Sequence, residues 1–475
     1  MPRLAFSERR LLLRLGDLLL ISASIMVSLF LWLYLSGGEF YWELFQIQFQ
    51  WIGLIFFGWP IWFFFNDMYN LRHAAQVGRT ARVIGTGALL LMIVYLGIFF
   101  VTSRPPTNPN LNILLVESTP VRLAPVFALV ISTTLLFTWR TSYAILFGGP
   151  HARRRLAILG VGHSARALYE AIRQTHQSHY EVVGFVDEKP SDAYHPEGLP
   201  PLLGDPQRLL QLEGQIDEIV LAKQDEIRGE VFQIIMDCHE RGMAVTPMPL
   251  LYERLTGKVP VEHIGSDWYV ALPFQEAGTR TLYSFIKRLM DLAGGLLIGL
   301  VFLIVLPFVA LAIKLDSSGP IFYSQERVGA NGRPFRVRKF RSMVQDAEGD
   351  GKARWATKND SRITRVGALL RKTRLDELPQ VLNVLAGEMS LVGPRPERAQ
   401  FIEQLQRQIP FYRTRLAVKP GLTGWAQVSY GYGATVEDAL IKLQYDLFYI
   451  RHQNPWFDFT IMLRTIGVVL KMKGQ

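Results

Sequence analysis

Residues 371 to 380 read RKTRLDELPQ and set two carboxylates, Asp376 and Glu377, just behind three basic residues and just ahead of Pro379. Leu378, Val381, Leu382 and Leu385 recur at helical spacing, Gly387 can cap a helix end, and proline is tolerated only in a first turn. The spacing predicts a short helix with both acids at its N-terminus. Adjacent residues on a helix point about 100° apart, so these two cannot share a proton as a facing pair does. They need different jobs. Exposed amides and the positive dipole end favour an ionised carboxylate or a bound phosphate at such a place. One acid can then attack phosphorus while its neighbour holds a divalent metal. The plainer alternative is that Asp376 caps the helix, as acids there often do. Surrounding cations shift the balance: Arg338, Lys339 and Arg341 upstream, Arg371, Lys372 and Arg374 just before the acids, then Arg395, Arg398 and Lys419. Phosphoryl transfer depends on positioning and on neutralising phosphate oxygens, which takes several such groups.

The chain that must position them has 475 residues, 49% of them hydrophobic, and a net charge of +10. That is too apolar for a wholly water-soluble protein and leaves room for two to four domains. A single cysteine, Cys238, excludes an intrachain disulfide and a cysteine metal cluster. No zinc finger, RNP motif or helix-turn-helix accompanies the positive charge, so no nucleic-acid partner is expected; anionic lipid and a positive cytoplasmic face explain it more simply. Four apolar segments, near residues 11–36, 47–65, 83–102 and 123–147, each approach the roughly 20 residues that cross a hydrocarbon core. Arg3, Arg9, Arg10, Arg14, Arg72, Arg79, Arg82, Arg140 and Arg153 to Arg155 fall on one side of them, Glu39 and Glu43 on the other. Both ends of this region are therefore expected in the cytoplasm. No lysine or aspartate lies at a span's centre, which favours anchoring or assembly over an ion pathway.

Beyond HARRR the composition turns soluble. RLAILGVGHSARALYEAIRQ reads as a buried strand, a glycine turn and an amphipathic helix, with the pattern Gly160-x-Gly162-x-x-Ala165. Strands YEVVGFVDE and DEIVLA follow, and Asp187 stands where a ribose-binding acid would. This resembles a Rossmann opening, with Gly160 and Gly162 as candidate cofactor-binding positions. The same glycines also permit close strand–helix packing with nothing bound. A sugar-nucleotide epimerase or dehydratase would need a Tyr-x-x-x-Lys pair within that domain; Tyr283-x-x-x-Lys287 lies outside it, at the mouth of a membrane segment.

That segment, LAGGLLIGLVFLIVLPFVALAI at 292–313, has Lys287 and Arg288 before it and Lys314 after it. Length says that it spans; positive charge at both ends says that it does not. Pro307 removes a backbone hydrogen bond, and a helix broken there that dips in and returns to the same leaflet reconciles the two. Residues 315–475 would then sit beside the cytosolic nucleotide pool. IFYSQERVGANGRPFRVRKFRSM reads as two strands around an Asn331-Gly332 turn. Amphipathic stretches at 399–416 and 455–472 suit either the membrane interface or a core.

QERVG at 325–329, RKFRSM at 338–343, LDELPQ at 375–380, LVGPRPE at 391–397, KPGLTGWAQV at 419–428 and YDLFYI at 445–450 run in one order. With them this region resembles the bacterial sugar transferase family, the polyprenyl-phosphate hexose-1-phosphate transferases, in its large monotopic form. The resemblance implies a membrane α plus α/β protein: four transmembrane helices (1–150), a Rossmann-like domain (151–275), and a mostly helical monotopic catalytic domain (280–475) on a proline-broken re-entrant helix. It implies the bacterial inner membrane, with the catalytic domain on the cytoplasmic face. It further implies transfer of hexose 1-phosphate from a UDP-hexose to undecaprenyl phosphate with release of UMP, through an aspartyl-phosphosugar at Asp376. Glu377 would bind Mg2+, and Lys339, Arg341, Arg371, Arg395 and Lys419 would meet the phosphates. Lys419 stands where relatives often carry arginine, which loses bidentate geometry. Such a step initiates exopolysaccharide, capsule or O-antigen repeat-unit assembly. A homodimer through the N-terminal parts would give those parts a purpose. Glucose and galactose are the leading hexoses and differ by the orientation of one hydroxyl. The competing functions are a membrane-anchored epimerase or dehydratase and a noncatalytic assembly scaffold.

Overall fold

The computed structural model describes residues 6–35, 42–102, 119–148, 153–175, 180–188, 198–223, 228–263, 280–345, 360, 362–431, 433 and 435–470. The chain packs as two compact units, residues 1–156 with 176–183 and 214–218, and the remainder to residue 475. Helices Phe6–Leu35, Trp42–Phe65, Val77–Thr102 and Thr119–Gly148 occupy the four predicted apolar segments. Among the described residues four stretches are long and apolar enough to cross a membrane by length and composition: Glu8–Tyr34, Val77–Ile98, Ala124–Phe147 and Thr281–Asp316. Within the second predicted segment the described apolar stretch is the shorter Trp51–Phe65. The chain is a membrane protein.

Large side chains fill the N-terminal bundle. Ile21, Trp32, Trp59 and Phe63 are buried in it, and Trp59 donates its indole N–H to Ser132 Oγ at 3.0 Å. Arg140, which the sequence groups with the flanking positive charges, is instead buried, as is Asp17; both side chains are 1% exposed. Their fork is bidentate, Nε to Oδ1 at 3.1 Å and Nη2 to Oδ2 at 2.5 Å, while Nη1 donates to Met68 O at 3.0 Å. Removing one partner strands a buried charge, which costs about 3–5 kcal/mol, whereas replacing both with apolar groups of similar volume is often close to neutral. Asp17→Leu and Arg140→Met are each expected to lower the unfolding midpoint in detergent, with most of the loss regained in the double variant. Additive losses in the double variant would refute the coupling.

A five-stranded sheet follows, β1 (Arg154–Leu159), β2 (Tyr180–Val186), β3 (Leu202–Gly204), β4 (Glu218–Leu221) and β5 (Ala244–Pro247), in the order β3-β2-β1-β4-β5. β2 and β3 pair in parallel. β3 (LLG) and β5 (AVTP) went unpredicted because neither carries a continuous β-branched and apolar run like the IVLA that marks the equally short β4.

The Arg280–Asp316 helix carries the C-terminal region. Its helical backbone continues through Pro307. An interior proline loses one hydrogen bond and its ring crowds the carbonyl four residues back, which bends a helix without having to end it. Packing on both sides of that position, with Phe302, Val309 and Ile313 against Phe340, Leu370 and Val381, holds the helix together. The opposite face is apolar and exposed, including Leu289, Leu297, Leu300, Ile304, Phe308 and Leu311. Next come β6 (Phe322–Val328) and β7 (Pro334–Phe340), antiparallel from Phe322↔Phe340 to Val328↔Pro334 around the predicted turn, where Asn331 and Gly332 have φ of 55° and 79°. The hydrophobic core beyond them gathers Val384, Leu391, Phe401, Leu405, Leu443 and Ile461. The 399–416 stretch is thus a core element, while in the Pro455–Leu470 helix Trp456 and Phe459 stay exposed.

Candidate active site

The acids lie where β7 meets a tight turn. Leu375–Gln380 is a 3-10 helix, and the α-helix begins only at Val381, ending at Ala386 with Gly387 in the left-handed conformation at φ 82°. This moves the predicted helix start past the acids. Arg374 at φ 58° reverses the chain immediately before them, a conformation that costs a non-glycine residue about 1 kcal/mol or more. Asn383 pins the turn to the strand: its amide donates to Arg336 O at 2.8 Å and its carbonyl accepts from Arg338 N at 3.2 Å. Lys339 thereby faces the acids.

Glu377 Oε1 accepts from Lys339 Nζ at 2.9 Å and from Arg395 Nη2 at 2.7 Å, and Arg374 Nη1 stands 3.6 Å from Oε2. Burial by itself would raise this carboxyl, but Arg395, Lys339 and Arg374 overcome it and hold Glu377 well below the usual carboxylate range. Asp376 differs. Burial first, and then the adjacent Glu377 charge, push it above that range. No donor among the described residues is hydrogen-bonded to its carboxylate, so its oxygens are uncommitted. One carboxylate is held among cations, and the other has no hydrogen-bond donor among the described residues.

Both acids line a cavity of about 520 Å³. Its walls carry ten lysine and arginine residues against four aspartate and glutamate residues, an excess that suits a multiply charged anion. Of the residues predicted for the phosphates, Lys339, Arg341, Arg371 and Arg395 are brought together on this wall. Lys419 is not; it is exposed and absent from the lining. The sequence missed Arg327, Glu397, Arg415, Lys442 and Asp446, which also line the cavity. Arg327 and Asp446 fall inside motifs already quoted, but neither showed a chemistry. Arg415 donates to Asp446 at 2.8 Å and to Arg395 O at 3.1 Å, bracing the strand end that aims Arg395 at Glu377. Burial raises Asp446 to about 6 even beside Arg415.

The motif glycines serve packing. β8 (Ser390–Val392) and β9 (Gly421–Thr423) pair in parallel, and a Cβ on Gly393 or Gly421 would run into the backbone of the other segment. That crossing brings LVGPRPE beside KPGLTGW. The apolar helix is bolted to the same elements. Arg288 donates to the carbonyls of Val384 and Leu385 at 2.8 and 2.7 Å, and Asp291 Oδ1 accepts from Ser390 Oγ and Leu391 N at 2.9 and 2.8 Å. Lys287 Nζ donates to Val392 O, Tyr449 Oη and Asp458 Oδ2 at 3.0, 3.0 and 2.9 Å, and Tyr283 Oη donates to Asp458 at 2.8 Å. Both members of the Tyr283/Lys287 pair are therefore used in anchoring this helix.

A metal has a restricted fit. Among the described residues no cluster of three or more histidine, cysteine, aspartate or glutamate side chains exists. Glu377 Oε1 is taken by two cations, leaving Oε2 and the Asp376 carboxylate as oxygen donors. That fits a small divalent ion completing its shell with substrate phosphates and water, which is how Mg2+ is commonly bound. In the sheet region Gly160, at φ +108°, is required for its backbone, whereas a Cβ at Gly162 would meet nothing within 4 Å. Asp187 Oδ2 accepts from Val161 N at 3.2 Å, so this carboxylate braces the glycine turn itself.

The chain is similar in sequence to known proteins. A family model described as bacterial sugar transferase matches residues 282–472. The chain is 41% identical over 248 residues to the UDP-N-acetylgalactosamine-undecaprenyl-phosphate N-acetylgalactosaminephosphotransferase of Aeromonas hydrophila, covering 52% of this chain and 57% of that protein. It is 35% identical over 327 residues to the UDP-glucose:undecaprenyl-phosphate glucose-1-phosphate transferase of Escherichia coli (strain K12), covering 66% and 67%. It is 32% identical over 367 residues to the UDP-galactose-lipid carrier transferase of Erwinia amylovora, covering 71% and 75%. The chain thus spans little more than half the length of the first of these, and two thirds to three quarters of the other two. With its ordered motifs gathered around one cation-rich cavity, the chain belongs to the bacterial sugar transferase family and is a phosphotransferase enzyme.

Proposed function

We propose that the protein transfers a sugar 1-phosphate from a UDP-sugar to undecaprenyl phosphate. The uncommitted Asp376 carboxylate beside a charge-neutralised Glu377 carries this reading. In the first step an Asp376 oxygen attacks the sugar-bearing phosphorus, the bond to the UMP oxygen breaks, and UMP leaves with the electron pair. In the second, an oxygen of undecaprenyl phosphate attacks the same phosphorus and the aspartyl bond breaks, regenerating the carboxylate. Glu377 keeps Lys339 and Arg395 oriented for the phosphate oxygens. Mg2+, if it accompanies the diphosphate, would be held by Glu377 Oε2 and would offset phosphate charge.

A membrane-surface site suits a lipid acceptor and a soluble donor. The C-terminal region contacts the apolar helix from Tyr283 to Ser317. A 37-residue helix is about 55 Å long, well beyond a hydrocarbon core of about 30 Å. Docking along such a length while the other face stays apolar favours a helix that enters and returns to one leaflet, bent at Pro307, over a simple span. We place the catalytic region at the cytoplasmic face of a bacterial inner membrane, where it would begin a surface polysaccharide repeat unit. The relatives' names widen the donor choice beyond glucose and galactose to N-acetylgalactosamine. Purified protein with undecaprenyl phosphate should release UMP from at least one of these three UDP-sugars and form a lipid diphosphate sugar. No UMP from any of them, or a chemically altered sugar on an intact nucleotide, would overturn the reading; the latter is what an epimerase would give.

A further inference from the structure

The helix Met248–Thr256 follows β5 directly and packs against the helix His163–Thr175, which opens just after the glycine turn. It also reaches the catalytic region, within the same compact unit. Glu253 is buried and accepts from Arg451 Nη1 at 2.7 Å. Gly257 ends the helix at φ 67°, and its carbonyl accepts from the indole N–H of Trp425 at 3.0 Å. A Cβ at Gly257 would stand 3.3 Å from the Trp425 ring, so the chain passes close against the indole. Lys258 Nζ then lies 5.0 Å from the centre of the Tyr445 ring, and Val259 N donates to Gln444 O at 3.0 Å. Val259 and Val261 are buried in the core that also holds Leu443 and Leu447. Residues 253–261 thus clamp two elements at once, the Trp425–Ser429 helix and the Val436–Arg451 helix.

Those two helices furnish one side of the cavity: Ala426 and, just past its end, Tyr430 from the first, Lys442 and Asp446 from the second. Gln444 and Asp446 are two residues apart, which is about 200° around a helix, so the clamp grips the side behind Asp446. From there the contacts run on to the acids. Asp446 accepts from Arg415, Arg415 donates to Arg395 O, and Arg395 donates to Glu377. None of residues 248–263 lines the cavity, so any effect of this segment on the reaction goes through position. Such effects are large where geometry is demanding, since a displacement of about 1 Å far from the chemistry can cost about 10²-fold.

Resting on the proposed function, we propose that residues 253–259 and Trp425 are a positioning device for the active site, holding the wall that keeps Arg395 aimed at the acids. Full-length protein is assayed with UDP-sugar and undecaprenyl phosphate varied in turn, at a temperature where every variant is folded. Trp425→Phe keeps an aromatic ring but loses the bond to Gly257. It is expected to lower kcat/KM for both substrates together, by about three- to tenfold, because Arg395 serves both half-reactions. Glu253→Gln, at the other end of the segment, is the second variant and should lower both constants in the same way. With Arg395 aimed less firmly, Asp376 loses part of the field that favours its charge. The acid limb of kcat/KM should therefore move up, by about 0.3 pH unit or more. Destabilisation alone moves neither the constants of folded enzyme nor the limb. Val231→Ala, which removes buried volume from the helix Gly229–Glu240, is the control: its unfolding midpoint should fall while both constants and the acid limb stay as in wild type. Wild-type constants and limb in Trp425→Phe and Glu253→Gln, or equal losses in Val231→Ala, overturn the positioning role. Wild type that releases no UMP would instead overturn the underlying function, so the two failures are distinguishable.

Discussion

Asp376→Asn is expected to abolish turnover, by at least about 10³-fold, in both half-reactions. The decisive measurement is exchange of labelled UMP into UDP-sugar without lipid, which requires only the first step. The amide matches the carboxylate in shape but cannot form the phosphosugar bond. It also removes a buried acid whose pKa is raised. A carboxyl raised in the folded state contributes stability that is present below its unfolded pKa and is lost as pH rises through the folded value. Above that range the charge is a burden, so the variant should unfold no earlier than the parent at neutral pH. A lost activity with an unchanged or higher unfolding midpoint would locate the defect in the chemistry. Retained exchange, or a trapped phosphosugar on a peptide lacking residues 375–380, would exclude Asp376 as the nucleophile.

Glu377→Gln should cost about 10²–10³-fold in kcat/KM for the UDP-sugar, and its pH profile distinguishes it from a merely misfolded protein. Glu377 repels a charge on Asp376 and also occupies Lys339 and Arg395. With a neutral side chain in its place, repulsion vanishes and both cations face Asp376, so Asp376 should titrate at lower pH. The acid limb of kcat/KM, which in the parent lies above the ordinary aspartate value of about 3.9, should move downward. Stability changes with the opposite sign to that of Asp376. A depressed carboxyl contributes stability that is present above its unfolded pKa and is lost as pH falls through the folded value. Neutral-pH stability should therefore fall, by about 2–3 kcal/mol once the partial exposure of Lys339 and Arg395 is discounted. An acid limb that stays in place or moves up would show that the two carboxyls are not coupled.

Much of this site was readable along the chain because its signals are local. The basic residues around LDELPQ, the hairpin turn at Asn331-Gly332 and the glycine at 387 each depend on near neighbours, and all appear where the pattern placed them. The helix start was misplaced because periodicity cannot distinguish a 3-10 turn from the α-helix that follows it. Lys419 was grouped with the phosphate ligands on resemblance, but its place beside the Gly393–Gly421 crossing leaves its side chain exposed. Arg415 carried no local signal, since its partner Asp446 is 31 residues away. The Asp17–Arg140 pair joins residues 123 apart, and to a reader of charge alone Arg140 looks like a flanking cation.

By themselves the residues determined which segments are apolar enough for a membrane, which two acids stand together among cations, and which family the C-terminal region resembles. Only the tertiary structure decided that Glu377 is clamped while Asp376 is uncommitted, that Arg341 is buried and grips a helix end, and that helical backbone continues through Pro307. Periodicity and capping act between residues a few positions apart. Charge pairing, desolvation and hydrogen-bond satisfaction depend on distances between residues that only the folded chain brings together.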